Sequence, residues 1–331
     1  MTTDELTTEI LEPVGPFSFR AAQRFLAGPL PIAPRPGGGG DGAHVHLAFV
    51  PDGGARHAVG VCVRADGPRV VVEATTPPGG SSSAAVGAQV ARILSLDVDG
   101  SGWPAVGELD PVIGRLQRRF EHLRPVNFVS PFEAGAWFLL GQRVRMAQAA
   151  AAKRRLADEL GERVVVHGEE LPAFPAPSRL VDLEPAPGVP PAKAERLRAL
   201  ARAAEEGLLD ASHLRALPVD EARAALLELP GVGPFTADGI LIRGAGAPDV
   251  LTLHEPRVRH AVRAAYELDH LPDDGELTAI SESWRPFRSW ATVLLRAAWQ
   301  EESGPPTPLQ GASASTRPAK AQMAASSSAL S

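Results

Sequence analysis

The stretch LPGVGPFTADGILIRG (229–244) packs two glycines and two prolines into its first six residues, between segments that read as helix. Gly231 and Gly233 take the Cβ atoms out of the turn, which permits positive φ and lets another backbone come close. Consecutive amides exposed there, with the unpaired N–H groups opening the helix after Pro234, form a concavity that suits a phosphate. An ordinary tight corner between two helices would use the same glycines for geometry alone. A second feature is charge. From Pro111 to Arg155 nine Lys/Arg residues stand against two acids, Glu121 and Glu133, in a chain whose formal net charge is −6. Such a run is either a solvated helix face or a patch that tracks a phosphate backbone. Other polar candidates are weak. His44 and His46 share a strand face but have no evident third ligand, so they read as surface histidines, and His254-Glu255 lacks the second histidine of a zincin helix. The single cysteine, Cys62, excludes an internal disulfide, a four-cysteine zinc site and a cysteine-held iron–sulfur cluster, and reads as an inert buried thiol.

These residues need positioning elements. The first hundred residues carry short β-branched segments, HVHLAFV (44–50), HAVGVCVRA (57–65) and RVVVEAT (69–75), separated by turn residues, which predict a small antiparallel sheet. A flexible tract, PRPGGGGDG (34–42), interrupts them, and TTPPGGSSS (75–83) separates them from a helical run at 84–96. Beyond Asp110 the strand signal nearly vanishes, and residues 111–300 read as helices joined by short loops. Ser130, Pro131 and Glu133 form a capping-box start. The helix that follows has Gly161 as its stop, and Gly141 is placed to bend or split it. Further helices are expected at 219–229, 234–243 and 256–267. After Ser303 the Pro/Ser/Ala/Gln composition predicts a disordered tail. The expected domains are therefore residues 1–115, 116–302 and a tail at 303–331. With 331 residues the chain is long enough for two domains, and the absence of a leader or a bilayer-length apolar run gives a cytoplasmic expectation.

The hairpin and its continuation LTLHEPRVRHAV, together with residues 93–144 and SWRPFRSWATVLLRAAW (283–299), resemble the helix-hairpin-helix (HhH-GPD) DNA glycosylases, in particular the bacterial 3-methyladenine DNA glycosylase II subfamily. PFSFRAAQRFLAG (16–28) has a counterpart in that subfamily's small first domain. The resemblance implies an α+β chain: a small N-terminal antiparallel β-sheet domain followed by an all-α glycosylase domain. It implies a monomeric enzyme of base excision repair with double-stranded, damaged DNA as partner and no membrane. It also implies that Gly231, Val232 and Gly233 offer amides to a DNA phosphate, with Thr236 beside them and an alkali cation (Na or K) at the backbone of Gly231 and Gly233. No other cofactor and no side-chain metal site is expected. Gln142 and Arg143 would lie on the loop that enters the duplex where a base is extruded, a step that glycosidic chemistry requires because the bond is unreachable while the base is stacked.

Within the resemblance, several positions depart from the family pattern. The hairpin lysine of the bifunctional members is Phe235 here, and the chain's three lysines, Lys153, Lys193 and Lys320, lie elsewhere. Hydrolysis without strong lyase activity is the expectation. The family's catalytic aspartate is Glu255, followed by Pro256 at the first helical position. A helix N-terminus helps hold a carboxylate ionised, while glutamate is not a preferred cap, so Glu255 is the candidate catalytic carboxylate. Asp249 in a turn and Asp238 on a helix surface are its substitutes. Phe235 can stack on a flipped base, with Trp137, Phe17 and Phe19 as further pocket candidates. Arg296 replaces a late tryptophan; it either reads a neutral or electron-rich base or faces solvent. The competing readings are a DNA-damage-binding protein that lost catalysis when aspartate became glutamate, and a helical scaffold without a nucleic-acid partner.

Overall fold

The three β-branched segments become three neighbouring strands, and a fourth joins them from the N-terminus. A computed structural model describes residues 5–26, 44–76, 80–182, 184 and 187–303. The tract at 34–42, residues 304–331 of the expected tail and Lys320 lie outside the described residues. The elements are β1 (Glu5–Leu11), α1 (Phe19–Leu26), β2 (His44–Phe49), β3 (Val59–Asp66), β4 (Arg69–Thr76), α2 (Ser83–Ile93), α3 (Trp103–Leu109), α4 (Pro111–Arg119), α5 (Pro131–Gly141) and α6 (Met146–Leu160). They continue with β5 (Arg163–Val166), β6 (Glu169–Pro172), α7 (Pro177–Leu180), α8 (Pro191–Glu205), α9 (Ala211–Ala216), α10 (Val219–Leu227), α11 (Pro234–Gly239), α12 (Pro256–Ala265), α13 (Asp274–Ser281) and α14 (Arg288–Ser303).

The four N-terminal strands pair antiparallel in the order β1-β4-β3-β2. Val45, Leu47 and Phe49 lie opposite Val63, Val61 and Val59, so one face is wholly apolar and packs with Val86 and Val90 of α2. β1 escaped the sequence reading because its alternation is inverted. It is an edge strand whose Leu6 and Ile10 face outward while Glu9, pointing inward, accepts a hydrogen bond from Ser83 (2.6 Å).

A second correction concerns the region beyond Asp110, where β5 and β6 form a two-stranded hairpin inside what reads as a helical stretch. The strands are four residues each, too short to raise a periodic signal. They cover the outer face of the N-terminal sheet, where Cys62, Val166 and Leu171 form a small apolar cluster.

The helix starts follow local chemistry. Ser130 Oγ accepts the Glu133 N–H at 3.0 Å, but the capping box is only half made, because Glu133 turns instead to Lys153 Nζ at 2.6 Å. Gly141 does split the long run: α5 ends there and α6 begins at Met146. Asp110 caps α4 through the Val112 and Ile113 amides (3.0 and 3.2 Å). Its other oxygen accepts from Tyr266 Oη (2.6 Å), Ser283 Oγ (3.0 Å) and Trp284 Nε1 (3.1 Å), so one carboxylate joins α4 to the segments around α12 and α13. Around that node Trp103, Ile113 and Leu116 pack with Val258, Val262, Trp284, Trp290 and Leu294. The larger core joins the sheet and α2 to α5, α8, α10 and α11.

Two buried arginines seam these parts together, and one of them alters the reading of the basic run. Arg124 is fully buried and donates to the carbonyls of Val14, Pro16, Ser95 and Val98. Burial pushes its guanidinium down to about 10. Arg124 and the buried Lys153 are thus structural cations, and Arg119 is paired with Glu301 and Glu302. The phosphate-tracking reading of the run is narrowed to its exposed members. Arg92, on α2, donates to the carbonyls of Phe128 (3.3 Å) and Gly244 and pairs with Asp52 at 2.7 Å, fixing the sheet unit against the residues that lead into α5 and out of the glycine hairpin.

Candidate active site and nucleic-acid interface

The glycine corner separates α10 from α11. Gly231 has φ +83°, and a Cβ there would lie 2.4 Å from Arg196 Cδ, so both the backbone and the neighbour demand glycine. Gly233 differs: its φ is −101°, it caps α11, and a Cβ would meet nothing within 4 Å. Its bareness therefore concerns access rather than conformation. Of the three amides read as phosphate donors, Val232 N–H is committed to the Leu229 carbonyl at 3.0 Å, and the Val232 side chain is buried. Thr236 is buried beside it. Asp238 does not lie on a helix surface. It is 1% exposed, and its Oδ1 accepts from Arg223 Nε at 2.8 Å, which clamps α10 to α11. Six residues make so short a helix that the face opposite solvent falls inside the core.

The loop between α5 and α6 is tied to this corner. Gln142 Nε2 donates to the Gly231 carbonyl (2.7 Å), and Gln142 Oε1 accepts from Arg196 Nη1 (2.7 Å). Lys193 Nζ, one turn earlier on α8, donates to the carbonyls of Leu140 (2.6 Å) and Gln142 (2.8 Å), satisfying the open end of α5. Sequence reasoning missed both cations, since α8 carries no motif of its own. Arg143, at φ +56°, and Val144, Arg145 and Met146 are exposed. A left-handed arginine is strained and marks a loop whose shape is over-determined by its anchors. Val144 supplies an apolar, solvent-facing side chain next to Arg143, where the sequence reading placed only the arginine.

After α11 the chain continues as one π-helical turn, Ile240–Gly244. Such turns are often found at functional sites. This one turns Arg243 inward, where it donates to the Val126 carbonyl and lies 5.5 Å from the Phe25 ring centroid. Burial, aided by the nearby Arg296 cation, pushes Arg243 down to about 10. Arg296 comes from α14 and is mostly buried, which removes the solvent-facing reading. Burial also lowers its pKa, opposed by Glu255 and assisted by Arg257. Glu255 is the N-cap of α12: its Oε1 accepts the Arg257 N–H at 3.2 Å and lies 3.9 Å from Arg296 Nη1. Three buried polar atoms in this seam have no hydrogen-bond partner: Arg243 Nε, Thr252 Oγ1 and Arg296 Nη1. Asp249 is fully engaged as a turn residue, paired with Arg285 (3.0 Å) and Arg288 (2.7 Å).

The aromatic candidates separate by exposure. Phe235 is 40% exposed and packs edge-on against Phe138, at 5.5 Å between centroids. Phe17 is partly buried under Arg124, with 5.9 Å between cation and ring centroid. Trp137 and Phe19 are buried in the main core.

No family model matches the chain. Over 206 residues it is 26% identical to the DNA-3-methyladenine glycosylase of Bacillus subtilis, covering 61% of this chain and 68% of that protein. Over 200 residues it is 32% identical to DNA-3-methyladenine glycosylase 2 of Escherichia coli, covering 59% of this chain and 66% of that protein. The solved 3-methyladenine DNA glycosylase of Archaeoglobus fulgidus superposes with a TM-score of 0.73 at 21% identity, covering 89% of this chain and 99% of that one. By sequence the chain is a relative of these DNA-3-methyladenine glycosylases, and it shares the fold of the solved one. In this glycosylase fold the glycine corner, the anchored α5–α6 loop and the carboxylate at the head of α12 are drawn from three separate stretches of sequence. The described part of the chain is built as a small sheet followed by mostly helical elements. None of its helices is long and apolar enough to cross a membrane.

Proposed function

We propose that the chain is a monofunctional DNA glycosylase that hydrolyses the N-glycosidic bond of alkylated or otherwise damaged purines in duplex DNA and leaves an abasic site. The observation that carries this reading is the Glu255 carboxylate, mostly shielded from solvent at the N-terminus of α12 and beside the Arg296 guanidinium. Opening of the C–N bond leaves a cationic sugar, and a carboxylate placed at a helix N-terminus is positioned to stabilise it until water adds. The reaction also needs the strand gripped and the base out of the stack. The open amide side of Gly233, with Gly231, is the seat for one phosphate, and the backbone of that corner is where an alkali cation would assist. Arg143 and Val144, held by the Gln142, Lys193 and Arg196 anchors, enter the space the base vacates. Phe235 offers a face for stacking. Arg296 Nη1, a buried donor without a partner, is the donor for an acceptor atom on the departing purine, and its charge is offset by Glu255 before the lesion enters.

The same residues argue against lyase chemistry. A Schiff base needs a free amine at the sugar. Phe235 occupies the hairpin position, Lys193 is bonded to two carbonyls and Lys153 to Glu133. The test is product analysis on methylated duplex DNA. The proposal expects free methylated purine and a strand that stays intact until alkali is added; strand cleavage without alkali would refute the monofunctional reading.

A further inference from the structure

A second group of chemistry-bearing side chains lies away from the hairpin, on the outer face of the N-terminal sheet. β2 and β3 pair with His46 directly opposite Cys62, so both side chains emerge on one face. The β5–β6 hairpin is laid over that face, and Gly60 allows the approach: a Cβ there would lie 2.7 Å from Val166 Cγ2. The hairpin closes through His167-Gly168, both at positive φ (48° and 82°), as a two-residue turn matched to strand twist. That turn brings His167 to the other two residues. One ligand atom from each of His46, Cys62 and His167 lies within 4.8 Å of the others. The His46 and His167 rings meet edge-on, 5.2 Å between centroids.

His46 is far from the surface residue its sequence position implied. It is 3% exposed, its Nδ1 is 3.0 Å from the Glu169 carboxylate, and its Nε2 is buried without a hydrogen-bond partner. In the neutral imidazole, a carboxylate on Nδ1 takes the N–H and leaves a lone pair on Nε2, which is how ligating histidines are oriented in metal sites. An acceptor in that state is costly to bury unless something occupies it.

We infer that His46, Cys62 and His167 form a zinc site that clips the β5–β6 hairpin to the N-terminal sheet. One thiolate and two imidazoles are a borderline-soft N/S set suited to Zn²⁺, with ligand bonds of about 2.0–2.3 Å. Tetrahedral geometry at those lengths puts ligand atoms roughly 3.5 Å apart, so the present spacing closes by about 1 Å. His167, half exposed on its turn, has the freedom to supply that movement. Cys62 releases its thiol proton to solvent as it ligates. The fourth position falls to water or to the Glu73 carboxylate, which lies 3.4 Å from His167 Nε2. The site is independent of the glycosylase reading and shares no residue with it.

The test uses tag-free, full-length protein stripped with chelator and titrated with Co²⁺, then Zn²⁺. The wild type is expected to bind one equivalent of Co²⁺ with a thiolate-to-cobalt charge-transfer band that Zn²⁺ displaces. Cys62→Ser abolishes the band. His167→Ala, a change on an exposed turn that leaves the far-UV circular dichroism intact, weakens Zn²⁺ binding at least about 10-fold in competition with a chromophoric chelator. Zn²⁺ raises the thermal midpoint of the wild type and not of His167→Ala. Absence of the band in the wild type, or equal Zn²⁺ affinity in the wild type and both variants, overturns the proposal.

Discussion

Glu255 Oε1 and Arg296 Nη1 face each other at 3.9 Å, too far for a hydrogen bond and close enough for an ion pair. The guanidinium therefore keeps a buried donor in reserve while its charge supports the carboxylate. Arg296→Ala removes both effects. Base release from a neutral damaged purine is expected to fall at least about 10-fold, on the scale of one lost charged hydrogen bond. Release of a cationic N-methylated purine falls less, because a repelling charge leaves with the side chain. Parallel single-turnover rates on the two lesions check this; an equal loss on both would show that Arg296 acts on Glu255 alone.

The two glycines of the corner make a contrast. Gly233→Ala meets no steric resistance at φ −101°, so its thermal midpoint is expected to match the wild type while affinity for abasic-site duplex drops. Gly231→Ala must adopt a left-handed backbone and push Arg196 aside, which lowers stability by about 1–2 kcal/mol before any DNA is added. Thermal melts and fluorescence anisotropy on both variants separate access from conformation.

Gln142 links the α5–α6 loop to the corner through two hydrogen bonds. Gln142→Ala removes both at a site that is partly exposed, so the fold is retained. The loop loses its register with the proposed phosphate seat, and affinity for abasic-site duplex is expected to fall about 5-fold, on the scale of one net hydrogen bond. Val144→Ala, which leaves those bonds intact, is expected to slow base release more than it weakens binding.

Asp110 is the stability prediction. Its carboxylate caps α4 and accepts from Tyr266, Ser283 and Trp284. Asp110→Ala loses the cap, about 1 kcal/mol, and strips the Tyr266 hydroxyl of its acceptor, while Trp284 Nε1 keeps its bond to Tyr266 Oη, for a total of at least about 2 kcal/mol. Urea denaturation should show the shift.

What the sequence disclosed depended on how local each signal was. The three strands, the Ser130 start of α5, the break at Gly141 and the N-cap position of Glu255 are all set by neighbours within a few residues. β1 was hidden because its edge position inverts the usual alternation. β5 and β6 were hidden by their length. At the site, the hairpin and Glu255 were legible as a pattern, whereas the Lys193 and Arg196 anchors, the burial of Asp238 and Arg124, and the seam of Arg243 with Arg296 arise only when distant segments meet. His46 shows the limit best: its partners Cys62, His167 and Glu169 are 16 to 123 residues away along the chain, on three other strands and turns.

The central claim is that Glu255 does the work of the superfamily's carboxylate. Single-turnover release of methylated purine from duplex DNA, by wild type and Glu255→Gln at saturating protein, tests it most directly. The account predicts release by the wild type and a loss of at least about 100-fold in Glu255→Gln, with affinity for abasic-site duplex within a few-fold of wild type. Equal rates in the two proteins, or DNA binding by the wild type with no base released, would contradict it.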